Sequence, residues 1–253
     1  MLLTLLGALA IGVSLGLLGS GGSILTVPVL HYLAGQPEKL AIGGSLFVVG
    51  LIAASASVPY ALHRQVDWRN VAWFGLPGML GAWLGATLAR WVPGTVQLVA
   101  FALVMLVAAW RMLRGAAAGH GDDRSHRIAV VAGGFGVGAL SGLVGIGGGF
   151  LIVPALVLLA GVPMASAVGT SLAVIALNAF TGFARYLAVL ERESLQLDWT
   201  VLLTVAGVGI VGSYAGHRLG RRLPQATLHK AFGVFLVAMG LFIAFEAGPR
   251  LLH

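Results

Sequence analysis

The 253-residue chain contains no cysteine and very few charged residues. The absence of cysteine excludes disulfides, thiol chemistry, iron–sulfur clusters and cysteine-based zinc sites. Asp, Glu, Lys and Arg together make up 9% of the residues, whereas 58% are hydrophobic and the mean hydropathy is +0.98. A soluble domain could not cover its surface with so few charges. The composition therefore predicts an integral membrane protein.

The sequence also lacks the alternation of polar and apolar residues, over about ten residues, that membrane barrel strands require. Its apolar stretches instead run for about 17–25 residues, the length with which a helix crosses about 30 Å of hydrocarbon. A helix satisfies its own backbone hydrogen bonds in lipid. The sequence therefore predicts an all-α, multi-pass membrane fold.

The excess of positive charge does not indicate a nucleic-acid partner. The chain has fifteen Lys and Arg and eight Asp and Glu, which gives a net charge of +7. The basic residues lie in short loops between apolar segments. Such charges hold loops in the cytoplasm, and a positive protein also suits an anionic solute. The apolar start of the chain lacks the basic region of a signal peptide. We expect it to belong to the fold, because it is repeated within the chain.

The chain is an internal repeat. The stretch "GLLGSGGSILTVP" at 16–28 recurs as "GLVGIGGGFLIVP" at 142–154, and a shift of 126 residues makes 18 of 33 positions identical over 16–48. After a five-residue insertion the shift becomes 131 residues, which pairs Asp67-Trp68 with Asp198-Trp199. Chance does not produce such agreement, so the two halves are homologous.

Each half contains four hydrophobic segments, so the sequence predicts about eight transmembrane helices in one membrane domain. The repeats cover residues 1–113 and 128–253, and a polar linker, 114–127, joins them; we expect this linker in the cytoplasm. The segments are 2–35, 40–62, 69–89 and 96–113, followed by 128–161, 165–188, 199–219 and 228–246.

The first segment of each half is too long for one crossing. Thirty-four residues of helix would span about 50 Å. The excess begins at a glycine-rich run, residues 19–23 in the first half and 145–149 in the second, which we call the first and second elbows. We predict that the helix is broken at each elbow and that a shorter helix follows, Ile24–Leu33 or Phe150–Leu159.

Two topologies are compatible with this pattern. If the first segment crosses once, the halves run parallel; if the elbow turns the chain back as a hairpin, the halves are inverted. The positive-inside rule leans towards inversion. That arrangement places the loops 60–70, 111–127, 161–165 and 218–230 on the basic side.

The elbows are the first candidates for a solute site. Unwound backbone is tolerated in a membrane only where it is buried in protein or lines a cavity. Glycine permits positive φ, and the following helix starts with free N–H groups and a partial positive charge, which favour an anion. The alternative is that the glycines merely let two elbows pack together. The candidate residues are Ser20, Gly21, Gly22, Ser23, Gly147, Gly148 and Gly149.

Polar residues inside the second segments are further candidates, because such residues are costly in lipid. Three small hydroxyls, Ser45, Thr170 and Ser171, lie just inside these segments. Asn178 either binds solute or joins helices. Arg185, two helical turns further on, either forms a bidentate pair with an anion or extends to the interface. Tyr60 and Tyr186 match across the repeat and are predicted to mark the interface.

The third segments carry glycines at G-x-x-G-x-x-x-G spacing, which predicts faces for close helix packing. These are Gly78, Gly81 and Gly85 in the first half and Gly209, Gly212 and Gly216 in the second. No strand precedes the glycine runs, and no P-loop lysine accompanies them, so a nucleotide site is not expected. An intramembrane hydrolase using Ser20 or Ser23 with His31 is disfavoured, because nothing orients that histidine.

The paired elbows, with "AVGTSL" at 167–172 and Asp-Trp before a glycine-rich third segment, resemble the TauE/SafE sulfite exporter family, also called the toluenesulfonate uptake permease family. The resemblance covers residues 7–246. It implies a multi-pass protein of the bacterial inner membrane that moves sulfite, sulfonates or related organosulfur anions. Ser20 and Ser23 depart from the glycine-rich form of the second elbow.

The sequence thus predicts a secondary transporter of a small anion, which the resemblance implies to be sulfur-containing and which binds a central site exposed alternately between two halves. We expect no catalytic residue, metal or cofactor. The expected partners are the solute, lipid, a coupling ion and a second copy of the chain. The rival interpretation is a membrane assembly or scaffold protein that moves nothing.

Overall fold

A computed structural model describes residues 2–88, 123–144, 149–192 and 194–220, with single positions between 91 and 110 and between 222 and 241. Gly147 and Gly148 of the second elbow, the linker 114–122 and most of each fourth segment lie outside the described residues.

All regular structure in the described residues is helical. Two helices contain a π turn, at Val29–Leu33 and Val71–Gly75. We number the helices in chain order: α1 Leu2–Leu18, α2 Gly22–Leu33, α3 Glu38–Leu62, α4 Trp68–Leu88, α5 Asp123–Val144, α6 Gly149–Leu158, α7 Met164–Arg192 and α8 Trp199–Gly220.

Four of these helices are long and apolar enough to cross a membrane: α3, α4, α7 and α8. The apolar stretches of α1, α2 and α5 are shorter: Leu2–Leu18, Gly22–Leu33 and Ile128–Leu143. By helical rise α2 is about 18 Å long and α6 about 15 Å, half of the hydrocarbon thickness. The described part of the chain therefore has the composition and lengths of a multi-pass α-helical membrane protein.

The first segment folds as a hairpin. Helix α2 returns along α1, because Gly22 lies against the backbone of Ile11 and the Thr4 hydroxyl donates to the Leu33 carbonyl at 2.9 Å. In the second half Gly133 of α5 lies beside Leu159, just beyond α6, so α6 turns back in the same way. The predicted breaks are therefore present, but the second pieces begin earlier than predicted, at Gly22 and Gly149 instead of Ile24 and Phe150.

The glycine faces hold the first helix of each half against the third segment of the other half. Helix α1 packs on α8 and α5 packs on α4. A Cβ on Gly12 would collide with the Gly209 carbonyl, and one on Gly138 would collide with the Gly78 carbonyl. The shifts of 126 and 131 residues relate these two contacts to each other. The packing role predicted for the G-x-x-G-x-x-x-G residues is thus confirmed.

The second segments of the two halves run in opposite directions. Gly43 near the start of α3 contacts Tyr186 late in α7, and Gly169 near the start of α7 contacts Tyr60 late in α3. Helix α8 runs in the same direction as α3, because Gly44 contacts Leu202 near the start of both helices and the Ser55 and Tyr214 hydroxyls lie 3.3 Å apart near their ends. These directions favour the inverted topology over the parallel one.

Buried apolar side chains come mainly from the hairpins and the second segments. The largest fully buried ones include Ile11 of α1, Ile24 of α2, Ile52 of α3 and Ile152 of α6. Large apolar residues of α4 and α8, such as Trp83, face outward. The bundle therefore keeps the first elbow and Gly149 of the second inside, and it presents α4 and α8 to lipid.

Opposite membrane faces are expected for the starts of α3 and α7. Pro37 and Pro163 precede these helices, are exposed and match across the repeat. Single Pro37→Cys and Pro163→Cys variants of this cysteine-free chain should differ in labelling of intact cells by an impermeant maleimide. We expect only Pro37→Cys to react, since Pro163 lies on the basic side. Labelling of both from one face would contradict the antiparallel arrangement.

A methyl group on the α4–α5 contact should destabilise the fold. In Gly138→Ala the new Cβ meets the backbone of Gly78, which cannot move aside as a side chain would. We expect a loss of about 1–3 kcal/mol or more, seen as a lower thermal midpoint in detergent. Gly136→Ala, two residues away with nothing within 4 Å of its Cβ, is the matched control. Equal midpoints would contradict the close packing.

Candidate functional site

The first elbow retains backbone hydrogen bonds at both of its ends, Gly19 and Ser23. Gly19 has φ +77° and donates its N–H to the Leu15 carbonyl at 2.8 Å, which ends α1. A residue with a Cβ rarely adopts this φ. Gly21 has φ −61°, so left-handed backbone is needed at Gly19 and not there. Gly22 instead permits the close approach of α2 to α1.

Two hydroxyls from other helices bind the carbonyls that the elbow leaves free. The Tyr60 hydroxyl donates to the Gly16 carbonyl at 2.9 Å. The Ser171 hydroxyl lies 3.0 Å from the Gly19 carbonyl and 2.8 Å from the Val168 carbonyl of its own helix. The prediction of an interfacial Tyr60 is therefore wrong, because its ring is buried against the elbow. The sequence feature that could have indicated a structural role for Tyr60 is its match with Tyr186 across the repeat.

The Ser20 hydroxyl is the unusual group of the first elbow. Ser20 is fully buried, and its Oγ has no hydrogen-bond partner among the described residues. The neighbouring Ser23 is also fully buried, but its hydroxyl donates to the Ser20 carbonyl at 2.9 Å. Buried hydroxyls nearly always have a partner. Ser20 therefore has an unused donor that a bound solute could accept.

The two elbows meet. A Cβ on Gly149, the first residue of α6, would lie 2.9 Å from Ser23 Oγ and 2.9 Å from Ile175 Cδ1. The beginnings of α2 and α6 are thus close together inside the bundle. Neither helix has an acidic residue in its first turn. Two helix N-termini then contribute positive partial charge to one buried region, which is favourable for an anion.

Ser45 and Thr170 occupy the buried turns next to the elbows. The Ser45 hydroxyl donates to the Ile42 carbonyl at 2.7 Å within α3. Thr170 Oγ1 accepts the backbone N–H of Asp67 at 2.9 Å and thereby joins α7 to the loop before α4. Both side chains are almost fully buried. Of the three predicted hydroxyls, Ser171 contacts the first elbow and Thr170 supports the adjoining loop.

Asn178 lies where α7 packs on α4. It is 1% exposed, and neither polar atom of its amide has a partner among the described residues. Its amide nitrogen would be 2.9 Å from a Cβ on Gly78. At the equivalent contact of the other half, Ile52 meets Gly209. An apolar residue thus suffices for packing there, so the amide of Asn178 is available for another group.

Arg185 lies apart from the elbows, at the surface of the bundle. Its Nε donates to Thr87 Oγ1 at 3.2 Å, and its guanidinium carbon is 5.7 Å from the centre of the Trp83 ring. Arg185 and Trp83 line an open groove of about 510 Å³ together with Phe180 and Thr181. Arg185 is about 21 Å along α7 from Ser171 by helical rise. Its contact with solute stays a prediction.

The described residues contain no metal-binding cluster, and they do not place Ser20 and His31 as the serine and histidine of a hydrolase. They include no group of three or more His, Cys, Asp or Glu that could hold a metal ion. His31 lies at the far end of α2 from Ser20 and has Nδ1 2.8 Å from the Gln36 carbonyl. About 13 Å of helix separates Gly22 from His31. Ser20 and His31 therefore do not form a nucleophile–base pair.

Comparison with known proteins gives relatives along nearly the whole length. A "Probable membrane transporter protein" of Xylella fastidiosa is 33% identical over 254 residues, covering 95% of this chain and 94% of the relative. Probable membrane transporter protein YunE of Bacillus subtilis is 28% identical, with 97% of each chain covered. The probable inner membrane transporter protein TsaS of Comamonas testosteroni is 28% identical, over 79% of this chain and 81% of the relative. No solved structure matches the chain.

The family model described as sulfite exporter TauE/SafE matches residues 4–243, which include both elbows, both glycine faces and the loop at Asp67. The match agrees with the resemblance seen in the sequence and with the helical membrane fold. The chain is a membrane transporter that belongs to the sulfite exporter TauE/SafE family.

Proposed function

We propose that the protein is a secondary transporter of small sulfur-containing anions, such as sulfite or organosulfonates, and that it binds them where the two elbows meet. The unpartnered Ser20 hydroxyl beside the N-termini of α2 and α6 is the observation that carries this proposal. A hydroxyl donor and helix N-termini can bind an anion without a charged side chain. This is compatible with the apolar sequence of both elbows.

We further propose that the halves are inverted repeats. Three features support this: opposite directions of α3 and α7, the hairpins α1–α2 and α5–α6, and equivalent glycine contacts at Gly12 and Gly138. Inverted repeats with discontinuous helices are typical of secondary transporters that bind solute near the midplane. A modest rocking of one half on the other then exposes the elbows to each side in turn. A solute or ion gradient supplies the energy.

The proposed location is the inner membrane of the cell, with the basic loops in the cytoplasm. The name of the Comamonas relative includes the inner membrane, and the family description includes sulfite. The loops around residues 60–70 and 161–165 lie on one side, together with the basic C-terminal end of α8. The positive-inside rule assigns that side to the cytoplasm.

The predicted site residues contribute to this proposal unequally. Ser20, Gly21, Gly22, Ser23 and Gly149 form the described part of the elbows, and Ser171 binds the first of them. Gly147 and Gly148 are proposed to complete the second elbow. Asn178 offers an unpartnered amide, while Ser45 and Thr170 support the surrounding backbone.

The rival function, a membrane scaffold that moves nothing, gains no support from the described loops, which are short. Four residues separate α2 from α3 and five separate α3 from α4, which leaves little surface for a partner enzyme. Sulfite flux in proteoliposomes separates the two functions directly. If the protein is a scaffold, the sulfite flux should not exceed that of empty liposomes.

Ser20→Ala should separate a binding role from a structural one. Removal of a buried hydroxyl without a partner should leave the free energy of unfolding unchanged or raise it, because no hydrogen bond is lost. A hydrogen bond to a charged solute contributes about 1.5–3 kcal/mol, so sulfite affinity should fall about 10- to 100-fold. Calorimetry on the purified protein measures the affinity, and thermal unfolding measures the stability.

Ser213→Ala is the matched control for this experiment. Ser213 is fully buried, its hydroxyl already donates to the Ile210 carbonyl in its own helix, and the repeat places Ala82 at the equivalent position. We expect it to retain sulfite affinity. Unchanged sulfite affinity in Ser20→Ala would remove the hydroxyl from the site and weaken the proposal that the elbows bind the anion.

A further inference from the structure

A polar cavity of about 260 Å³ opens on the basic face, between the loop that joins α3 to α4 and the start of α7. Arg64, Asp67 and Asn70 line it on one side, and Gly161 and Ser166 line it on the other. The family resemblance and the elbow site assign no role to this cavity. Its charges and position suggest one.

The electrostatic balance of the cavity is positive. Among the described residues that line the cavity, Asp67 is the only acidic one and Arg64 is the only cation. The Asp67 carboxylate is already bound by Asn70, from the backbone N–H at 3.1 Å and from the amide at 2.8 Å, where it caps the start of α4. The starts of α4 and α7 each add about half a positive charge. The charges of Asp67 and Arg64 cancel, so the two helix starts leave a net charge of about +1.

Asp67 in the lining of the cavity is hydrogen-bonded to the turn of α7 that supports the first elbow. Thr170 accepts the N–H of Asp67 on the cavity side, and the next residue, Ser171, contacts the Gly19 carbonyl of the elbow. Gly169 lies against Tyr60 and the Gln65 carbonyl, with no room for a side chain. One helical turn therefore separates the cavity from the elbow.

The opposite face contains the same turn, with different residues at the positions of Arg64, Asn70 and Ser166. Arg64 has φ 56° and Ser194 has φ 54°, and each follows the end of its helix with the same backbone hydrogen bonds. Asp198 caps α8 through the N–H of Val201, the residue equivalent to Asn70. Leu40 stands at the position equivalent to Ser166. The backbone of this turn therefore forms without Arg64, Asn70 or Ser166.

We infer that this cavity is a second anion site, a vestibule in which Arg64 and the start of α7 bind the solute on the basic face before or after it occupies the elbows. The inference rests on the proposed function for the identity of the solute, a small sulfur-containing anion. The Asp67–Thr170 contact then forms part of the barrier between vestibule and elbow. Arg64 is a binding residue of the vestibule and does not touch the elbow.

The test uses the lack of cysteine in the chain. Ser166→Cys introduces one thiol into the vestibule of the purified full-length protein, and its rate of reaction is measured with two methanethiosulfonates of similar size, the anionic sulfonatoethyl and the cationic trimethylammonium-ethyl reagent. We expect the anionic reagent to be favoured. Arg64→Asn should lower the anion-to-cation rate ratio about tenfold, and Arg64→Lys should keep most of it. Asn tolerates positive φ, so the turn should survive.

Methanesulfonate serves as the unreactive probe of binding. It should slow modification of Ser166→Cys when Arg64 is present and lose this effect in Arg64→Asn. The matched control combines Leu40→Cys with Ser194→Asn on the opposite face, where neither the ratio nor the protection should change. A rate ratio that does not respond to Arg64→Asn, or modification that methanesulfonate does not slow, would overturn the inference.

The labelling does not depend on transport, so its failure is distinguishable from a failure of the elbow site. If the ratio and the protection depend on Arg64 while Ser20→Ala binds sulfite normally, the vestibule stands and the elbow proposal fails. If Ser20→Ala loses sulfite affinity while the labelling does not depend on Arg64, the elbow proposal is supported and the vestibule proposal is wrong.

Discussion

Unwound backbone inside a membrane must find its hydrogen-bond partners within the protein, because hydrocarbon offers none. At the first elbow the carbonyls of Gly16 and Gly19 are contacted by hydroxyls of Tyr60 and Ser171, from the two antiparallel helices α3 and α7. This requirement fixes much of the surrounding structure. The elbow has to lie between α3 and α7, and the helices around it have to approach closely, which explains glycine at Gly22 and in the faces of α4 and α8.

The same constraint connects packing with function. Because the elbow carbonyls are bound by hydroxyls from other helices, what the elbow can offer to a solute is its donors: the helix N-termini and the Ser20 hydroxyl. A site built in this way suits an anion and needs little charge in the membrane. The cation that we assign to anion binding, Arg64, is instead at the water-facing end, where its desolvation costs little.

The repeat made much of this predictable. The breaks, the glycine faces of α4 and α8 and the buried hydroxyl Ser171 follow from paired motifs and from the cost of polar groups in lipid. The role of Tyr60 could not be predicted from its local sequence, since an aromatic residue at a helix end is usually an interface anchor; its contact with Gly16 depends on how the α1–α2 hairpin folds against α3. The cavity proposed as a vestibule could not be predicted from the sequence either. Asp67 and Thr170 are 103 residues apart and meet only through the antiparallel pairing of α3 and α7.

The central claim, that solute passes where the two elbows meet, is tested most directly by joining them. The ideal Cβ of Gly149 lies 2.9 Å from Ser23 Oγ, so cysteines at both positions are within reach of a disulfide. We expect the Ser23→Cys, Gly149→Cys double variant to cross-link on oxidation, to lose sulfite flux in proteoliposomes and to regain it on reduction, while each single variant is insensitive to oxidant. Undiminished sulfite flux through the cross-linked protein would contradict the account.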